Sequence, residues 1–321
     1  MSSNSLRTEI KIQNSDWNIG LKDSIITIGS CFSDSIGERL KKYKFNTLVN
    51  PFGTVYNPIS IFRLLQDQPI DPDRVVENQG LFLHYDFHSS FRKDNKEDLL
   101  KSLDEIKVST IDKLRKADCL VITLGTAWVY ELASTGEIVA NCHKVPQKGF
   151  SKRLLGLKEI IKAFDGLVES LRPLNPDLKI LLTVSPVRHI KDGIEENQLS
   201  KSMLRVICDF AVSSYDHVAY FPSYEIMMDD LRDYRFYKDD LIHPTEFAEE
   251  YIWKKFMETY FDSETLEFVK EWQSILAAME HRPFNPGSPD HRLFCQSQIE
   301  KLDALSEVVD VREEKEFFNQ K

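Results

Sequence analysis

The sequence predicts an α/β protein: a three-layer α/β/α domain built on a parallel sheet of about five strands, followed by a C-terminal helical extension. Two observations lead to this prediction. Short apolar runs rich in β-favouring residues alternate with amphipathic helical patterns over most of the chain, which is typical of βαβ units. After residue 262 only helical patterns remain, and a Pro/Gly-rich segment at 283–290 separates them.

Five apolar runs are predicted to form the strands, at residues 24–29, 45–50, 118–125, 178–186 and 218–227. Helical patterns are found at residues 33–43, 59–66, 96–117, 157–176, 196–215 and 246–260. An irregular region at about 67–97, with a strand-like run at 81–88, predicts an insertion. We therefore expect one α/β domain over residues 20–262 and a helical extension over residues 263–321.

Composition excludes several classes of function. The net charge of -10 argues against a general affinity for nucleic acid or for an anionic membrane. No apolar run approaches the ~18 residues of a membrane span, and the N-terminal residues lack the apolar core of a signal peptide. We therefore expect a cytoplasmic protein with no membrane partner, no nucleic-acid partner and no cofactor; whether it forms a homo-oligomer is left open.

The five cysteines are scattered along the chain and include no CxxC pair. This usage fits reduced thiols better than a disulfide framework or a structural zinc site. We expect no bound metal.

In open parallel sheets, ligands bind beyond the carboxyl ends of the strands. Gly29, Ser30 and Cys31 follow the first strand and precede a helical pattern. Glycine permits a sharp turn, and the helix N-terminus favours negative charge, so we expect a lowered pKa for the Cys31 thiol. The alternative is that Ser30 caps the helix and Cys31 is a small buried apolar residue.

A second candidate element is the D-x-x-H sequence formed by Asp240 and His243, just before a helix. At this spacing the carboxylate can accept a hydrogen bond from one ring nitrogen, which leaves the other nitrogen to take a proton from a nucleophile. Asp239 competes as the orienting carboxylate. The alternative is a surface turn without catalytic meaning.

Loops after other strands offer candidates for an oxyanion hole and for substrate binding. Gly53 follows the second strand, and Gly125 and Thr126 follow the central one; backbone amides there could stabilise an oxyanion. Such glycines also serve as ordinary turn formers.

Histidines on other segments are candidates for substrate contacts. Asn141 and His143 flank Cys142 on an apparent loop that could bind substrate, form a structural turn or ligate a metal. His88, in the strand-like run of the insertion, is expected either on a solvated face or on a lid over the pocket. His189 follows the fourth strand at the rim of the expected site.

These segments together resemble the SGNH (GDSL-type) hydrolase superfamily and, more closely, its branch called the GSCFA family. The naming motif stands here as Gly29-Ser30-Cys31-Phe32-Ser33, with serine in place of the final alanine. Other similar stretches are NPFGTVYNP (50–58), LGTAWVYE (124–131), ANCHKVP (140–146), TVSPVRH (183–189), ENQLSKSMLR (196–205) and DLIHP (240–244). The resemblance spans about residues 25–255 and implies a flavodoxin-like α/β/α hydrolase core.

The resemblance also implies roles for individual residues. Matching glycine to glycine in the first block puts Cys31 at the nucleophile, with Ser30 as the alternative if the turn is shifted. Gly53 corresponds to the oxyanion glycine, and Asp240 and His243 match the final block.

One block departs from the superfamily pattern. Its asparagine donor falls on Ala127, so Thr126, Asn141 or His143 must replace that donor, or the oxyanion hole has fewer side-chain donors. This departure puts ordinary esterase efficiency in question.

The sequence leaves three hypotheses about function. The first is an acyl hydrolase, or an acyltransferase, that acts through a Cys/Ser-His-Asp arrangement on an acylated sugar or another small ester. The second is a catalytically degenerate fold that serves as a binding or scaffolding module. The third is a metal- or redox-linked thiol protein that uses Cys31 and Cys142.

Overall fold

The computed structural model describes residues 8–12 and 16–321. Its strands are β1 (Ser24–Gly29), β2 (Asn46–Val49), β3 (Val75–Asn78), β4 (Leu81–His84), β5 (Cys119–Leu124), β6 (Trp128–Leu132), β7 (Ile138–Val139), β8 (Phe150–Leu154), β9 (Lys179–Val184) and β10 (Val218–Phe221). Its α-helices are α1 (Cys31–Lys42), α2 (Pro58–Leu65), α3 (Lys96–Leu114), α4 (Leu157–Leu171), α5 (Ile194–Ser214), α6 (Ser223–Glu225), α7 (Glu246–Tyr260), α8 (Ser263–Glu280), α9 (Pro289–Leu305) and α10 (Arg312–Asn319).

The central sheet has five parallel strands in the order β10-β9-β5-β1-β2. Counted by their rank along the chain, these strands run 2-1-3-4-5 from the β2 edge, which is the flavodoxin-like order. Each of the five predicted strands is present. The predicted fold class, a three-layer α/β/α domain with a C-terminal helical extension, is confirmed.

Alternate residues of each strand face opposite sides of the sheet, and each side is covered by a layer of helices. Ile26 and Ile28 face a core that includes α2, α3, α4 and α5, whereas Ile25 faces a core that includes α1 and α7. Successive strand residues point to opposite faces, so a strand with helices on both sides is apolar throughout. This is why the strands appear in the sequence as continuous apolar runs.

The C-terminal helices α8, α9 and α10 share the core of α1 and α7. Trp272 on α8 is fully buried, and its indole N–H donates to the Lys42 carbonyl at the end of α1 with a nitrogen–oxygen distance of 2.8 Å. The extension therefore packs on the face of the sheet that carries α1. A domain division between residues 262 and 263 stays a prediction.

The chain segments that connect the strands of the central sheet contain more β-strands than the sequence predicts. Strands β3 and β4 form an antiparallel hairpin, and β6, β7 and β8 form a small antiparallel sheet that the sequence analysis did not predict. The predicted strand at 81–88 ends at His84, so Asp86 and His88 do not lie on a strand. Asp86 is instead buried, where its carboxylate accepts hydrogen bonds from Arg63 and Arg74.

All five cysteines are free thiols. In the part of the chain that the structure describes, no helix combines the length and apolar character needed to cross a bilayer.

The turn after β1 brings the site residues to the edge of the sheet. Gly29 has φ +138°, and a Cβ atom there would lie 2.1 Å from the Thr123 carbonyl oxygen of β5. The next residue, Ser30, donates its amide to the same oxygen over 3.1 Å. The Gly29 amide donates to the Asn50 side chain over 2.8 Å. This close approach lets α1 begin at Cys31, two residues earlier than the helical pattern predicts.

We expect the substitution Gly29→Ala to lower the free energy of unfolding by at least about 3 kcal/mol, because backbone strain of ~1–2 kcal/mol adds to overlap with the β5 backbone. Gly80→Ala is the matched control. Gly80 also has a positive φ, of +75°, but nothing lies within 4 Å of its Cβ position. Its substitution by alanine therefore costs only the backbone strain of the positive φ. Urea denaturation followed by circular dichroism measures both; equal losses in the two variants would contradict the packing argument.

Candidate active site

A cleft of about 410 Å³ opens beyond the carboxyl ends of β1, β5 and β9. Cys31 follows β1, Thr126 follows β5 and Val187 follows β9, and all three line it together with His243. Its other lining side chains are Tyr56, Asn57, Trp128, Val129, Tyr130, Val139, Ala140, Lys152, Arg188, His189, Lys191, Asp192 and Ile242. The predicted nucleophile and the predicted base therefore share one cavity at the sheet edge where parallel sheets bind ligands.

Asp240 holds the ring of His243. One carboxylate oxygen lies 2.7 Å from His243 Nδ1, and the other accepts the amides of Ile242 and His243 over 2.8 and 3.0 Å. These hydrogen bonds lower the Asp240 pKa to about 2. The carboxylate is thus ionised at neutral pH and accepts a hydrogen bond from the Nδ1–H group, which leaves Nε2 as the basic nitrogen.

Cys31 has a less acidic thiol than the sequence suggests. Burial raises its pKa, and the charge of Asp34 on the same helix raises it further. The expectation of a lowered pKa from the helix N-terminus is therefore wrong, because loss of solvation and the charge of Asp34 outweigh the hydrogen bond from the residue's own backbone amide. At neutral pH the side chain is a thiol that needs a base to ionise it.

Ser30, the alternative nucleophile, has no surface that a substrate can reach. Its side chain is 0% exposed, and Oγ has no hydrogen-bond partner among the described residues. It precedes α1 without capping it through its side chain. Of these two candidate nucleophiles, Cys31 therefore lines the cleft and Ser30 does not.

The predicted oxyanion donors are engaged elsewhere. The Gly53 amide donates to the Asn50 carbonyl over 2.8 Å, and the Gly125 and Thr126 amides both donate to the Tyr56 carbonyl. Thr126 does line the cleft, but its hydroxyl lies 3.1 Å from that of Ser200. Neither Gly53 nor Thr126 therefore presents an uncommitted amide to a substrate.

Asn57 is a polar donor in the cleft that the sequence analysis missed. Its oxygen caps α2 by accepting the Ser60 amide over 2.9 Å, and its Nδ2 makes one long contact of 3.5 Å to the Val139 carbonyl. The only sequence signal is an asparagine before a proline, which indicates a helix cap rather than a site. The Asn57 Nδ2 group can therefore donate a further hydrogen bond.

The candidates on the 140–146 loop, Asn141 and His143, do not line the cleft. His143 is buried, with Nε2 2.8 Å from the His84 carbonyl and Nδ1 3.2 Å from the Ser89 hydroxyl. Asn141 accepts the His143 amide and donates to that same hydroxyl. These bonds tie the loop to the hairpin, so the structural-turn alternative describes both residues better than substrate contact.

The two other histidine candidates differ in position. His88 packs against Gly53: a Cβ atom added at Gly53 would lie 2.3 Å from the His88 Cβ. His88 does not line the cleft. His189 does line it, with its ring 5.3 Å from that of Tyr56. Burial lowers the His189 pKa to about 3, so this ring is neutral at physiological pH.

No group of three or more His, Cys, Asp or Glu side chains within residues 8–12 and 16–321 is arranged to hold a metal ion.

Comparison with known protein families identifies the family of this chain. The family model described as "GSCFA family" matches residues 24–256, and the model described as "GSCFA domain protein, C-terminal domain" matches residues 272–321. This chain belongs to the GSCFA family. The predicted resemblance over about residues 25–255 is therefore confirmed.

Solved structures give a weaker likeness. A carbohydrate esterase family 3 protein from Talaromyces cellulolyticus matches with 9% identity and a TM-score of 0.34, over 79% of this chain and 99% of that one. An acetyl esterase mutant solved with an acetate ion matches with 9% identity and a TM-score of 0.33, over the same shares of the two chains. None of the curated proteins matches significantly.

We predict that Asp34→Asn lowers the pKa of Cys31, because the substitution removes a like charge but keeps an oxygen to accept the 2.6 Å bond from Asn50 Nδ2. The measurement is the rate of iodoacetamide alkylation of Cys31 against pH, followed by peptide mass spectrometry. The inflection should move down by roughly 0.5–1 pH unit. Glu38→Gln, which removes an exposed charge one turn further along α1, serves as control; the same shift in both variants would refute the local explanation.

Proposed function

We propose that this protein is an SGNH-like acyl hydrolase in which Cys31 is the nucleophile, His243 the general base and Asp240 the residue that orients the base. One observation carries the proposal. Cys31 and His243 line the same cleft at the carboxyl edge of the sheet, and the Asp240 carboxylate accepts a hydrogen bond from His243 Nδ1, with 2.7 Å between oxygen and nitrogen. This is the arrangement of roles, nucleophile, base and orienting carboxylate, that defines a hydrolase triad.

The reaction begins with proton transfer. His243 Nε2 takes the proton of the Cys31 thiol while the sulfur attacks the ester carbonyl carbon, and the carbonyl π electrons move to oxygen. Collapse of this tetrahedral intermediate breaks the bond to the alcohol oxygen, which leaves with the proton from His243. The thioester that remains is hydrolysed when His243 takes a proton from water and the water oxygen attacks the thioester carbon. Collapse then breaks the carbon–sulfur bond and releases the acid, and the proton on His243 returns to the sulfur.

Because the pKa of Cys31 is raised, attack by its sulfur depends on His243 as the base. Were the thiol already ionised, the base would matter little for the attack. Because burial and Asp34 keep the thiol protonated, attack depends on a base that the Asp240 carboxylate has oriented. The mechanism is therefore general-base catalysis, as in a serine hydrolase, rather than attack by a preformed ion pair.

The oxyanion donors we propose are the Cys31 amide and Asn57 Nδ2. The amide is at the first position of the twelve-residue helix α1, where backbone N–H groups have no partner within the helix. Asn57 lines the cleft and has a nitrogen with only one long contact. It thus supplies a side-chain amide of the kind that is missing at Ala127.

The size and lining of the cleft support a small ester as the substrate. Its volume of about 410 Å³ falls at the lower end of ligand pockets, and a mixture of aromatic and polar lining suits a compact, polar molecule. Trp128 and Tyr130 flank the Lys152 ammonium on one wall, with ring centroids 5.5 and 5.2 Å from Nζ. We propose an acylated sugar or a similar small ester; acyl transfer to an alcohol or amine in place of water uses the same thioester.

A second candidate function is a binding module without turnover. The observation that favours it is the engagement of the Gly53 and Thr126 amides, because loss of an oxyanion donor typically costs ~10²–10³ in turnover. In that case the C-terminal helices would provide the surface for a partner.

Turnover of p-nitrophenyl acetate by five variants separates these functions. We expect Cys31→Ala and His243→Ala each to lose at least about 10³-fold in kcat/KM, and Asp240→Asn to lose ~10²–10⁴-fold because the ring tautomer is no longer fixed. Cys142→Ala is the matched control, since its thiol does not line the cleft.

Two results would overturn the proposal. Undiminished turnover in both Cys31→Ala and His243→Ala would remove the triad, and loss in Ser30→Ala with activity retained in Cys31→Ala would move the nucleophile to Ser30. No turnover by the unaltered protein on any small ester would favour the binding module.

A further inference from the structure

The cleft has a positively charged lining, although the chain as a whole is acidic. Lys152, Arg188 and Lys191 all line it. Of the described residues that do so, Asp192 is the one that carries a carboxylate. Over the full sequence, aspartate and glutamate outnumber lysine and arginine by 51 to 41. The lining of the cleft thus reverses the charge balance of the chain.

One of these three cations is neutralised within the cleft. The Lys152 ammonium, on β8, forms an ion pair with the Asp192 carboxylate, in the loop after β9. Within the part of the chain that the structure describes, neither Arg188 nor Lys191 forms an ion pair with a carboxylate. Two cations of the lining therefore remain without a counter-ion.

Two carboxylates next to the proposed catalytic residues have other partners. Asp240 accepts a hydrogen bond from His243, and Asp34 accepts one from Asn50 Nδ2 over 2.6 Å. Neither carboxylate lines the cleft. A ligand that enters the cleft therefore meets the two unpaired cations more directly than it meets these carboxylates.

Arg188 is held against the segment that carries His243. Its guanidinium carbon lies over the Tyr237 ring, 4.2 Å from the ring centroid. Its backbone amide donates to the Ile242 carbonyl over 3.2 Å, and Nη1 makes one long contact of 3.4 Å to the Leu241 carbonyl. A guanidinium that stacks on an aromatic ring is fixed in position, and its several N–H groups leave donors for a ligand.

This position indicates which half of an ester would meet the cation. In the mechanism proposed above, His243 protonates the oxygen of the leaving alcohol, so the alcohol half of the substrate lies at the His243 ring. Arg188 bonds through its backbone to Ile242, the residue before His243, and is therefore on the alcohol side. Guanidinium groups bind carboxylates and phosphates through paired, charge-assisted hydrogen bonds.

We propose that the substrate is an ester whose alcohol half carries a carboxylate or a phosphate, and that Arg188 binds this anion. Lys191, with an exposed side chain on the same lining, adds to the attraction. This inference rests on the proposed function and names the class of its substrate. Arg188 is thus the residue that determines specificity for a charged over a neutral ester.

The first test needs no ester. Iodoacetate and iodoacetamide differ mainly in charge, so the ratio of their rates of Cys31 alkylation at one pH, followed by peptide mass spectrometry, reports the charge of the cleft. Arg188→Gln should lower the iodoacetate-to-iodoacetamide ratio by about 5-fold, and Lys191→Gln by about 2-fold, because each removes a unit positive charge. Arg188→Lys keeps the charge and should keep most of the ratio.

Arg235→Gln is the matched control for this test. Arg235 also lies over an aromatic ring, 5.3 Å from the centroid of Phe236, but it does not line the cleft. Its substitution should leave the ratio unchanged. An unchanged ratio in Arg188→Gln and Lys191→Gln, or an equal fall in Arg235→Gln, would overturn the proposal.

The unaltered protein provides a test that does not depend on the folding of any variant. Salt screens the charges of an open cleft. If the cleft is cationic, added sodium chloride should lower the ratio of iodoacetate to iodoacetamide alkylation at Cys31. A ratio that rises with salt would show a negative field at the sulfur and contradict the proposal.

The second test compares three acetyl esters: p-acetoxybenzamide, which is neutral, p-acetoxybenzoate and p-acetoxyphenyl phosphate. Each kcat/KM is divided by the rate constant for hydroxide hydrolysis of the same ester, which corrects for intrinsic reactivity. At least one anionic ester should exceed the amide by about 5-fold or more, and Arg188→Gln should remove this preference. The better of the two anions distinguishes a carboxylate from a phosphate. Equal values for all three esters would refute the inference.

The two tests separate this inference from the proposed function. Charge-dependent alkylation in a protein that turns over no ester would retain the anion site and remove the hydrolase. Turnover of all three esters without preference, together with an unchanged alkylation ratio in Arg188→Gln, would retain the hydrolase and remove the anion site.

Discussion

The close approach of β1 to β5 at Gly29 determines what the rest of the site can be. With the Thr123 carbonyl 2.1 Å from where a Cβ would stand, only glycine allows the chain to turn there and to begin a helix two residues later. That turn puts Cys31 on the first position of α1 and buries Ser30 beneath it. The choice between two adjacent nucleophile candidates is thus made by backbone geometry and not by their chemistry.

Opposing electrostatic effects act on the thiol once it is there. Burial and the charge of Asp34 hold it protonated, whereas a hydrogen bond from its own backbone amide favours the thiolate. A sulfur balanced in this way is inert toward solvent but ionises when an oriented base takes its proton. In the mechanism we propose, the Asp240–His243 pair supplies that base from a different part of the chain, at the same edge of the sheet.

Much of the fold could be predicted from the sequence, because strands covered on both faces appear as apolar runs and their carboxyl ends fall in predictable places. The D-x-x-H spacing likewise predicts a local contact between Asp240 and His243, as their separation in sequence is only three residues. Longer-range relations were not predictable. The small sheet of β6, β7 and β8 consists of short strands without a strong apolar alternation.

Side-chain properties that depend on burial could not be predicted from the sequence either. Lys201 lies in an ordinary amphipathic pattern, and only the structure shows that its side chain points inward to two loop carbonyls. His143 resembled a substrate ligand because it is next to Cys142, yet its ring serves to join two loops. The pKa of Cys31 was mispredicted for the same reason: a helix N-terminus is visible in the sequence, whereas desolvation is not.

The central claim is that the Cys31 sulfur becomes acylated during turnover. Rapid mixing with p-nitrophenyl acetate, acid quenching and peptide mass spectrometry tests this directly. The account predicts one added acetyl group on the peptide that contains Cys31, localised to the sulfur and removed by hydroxylamine at neutral pH. An acetyl group on Ser30 or on another side chain, or ester turnover with no acylated protein at any time, would contradict it.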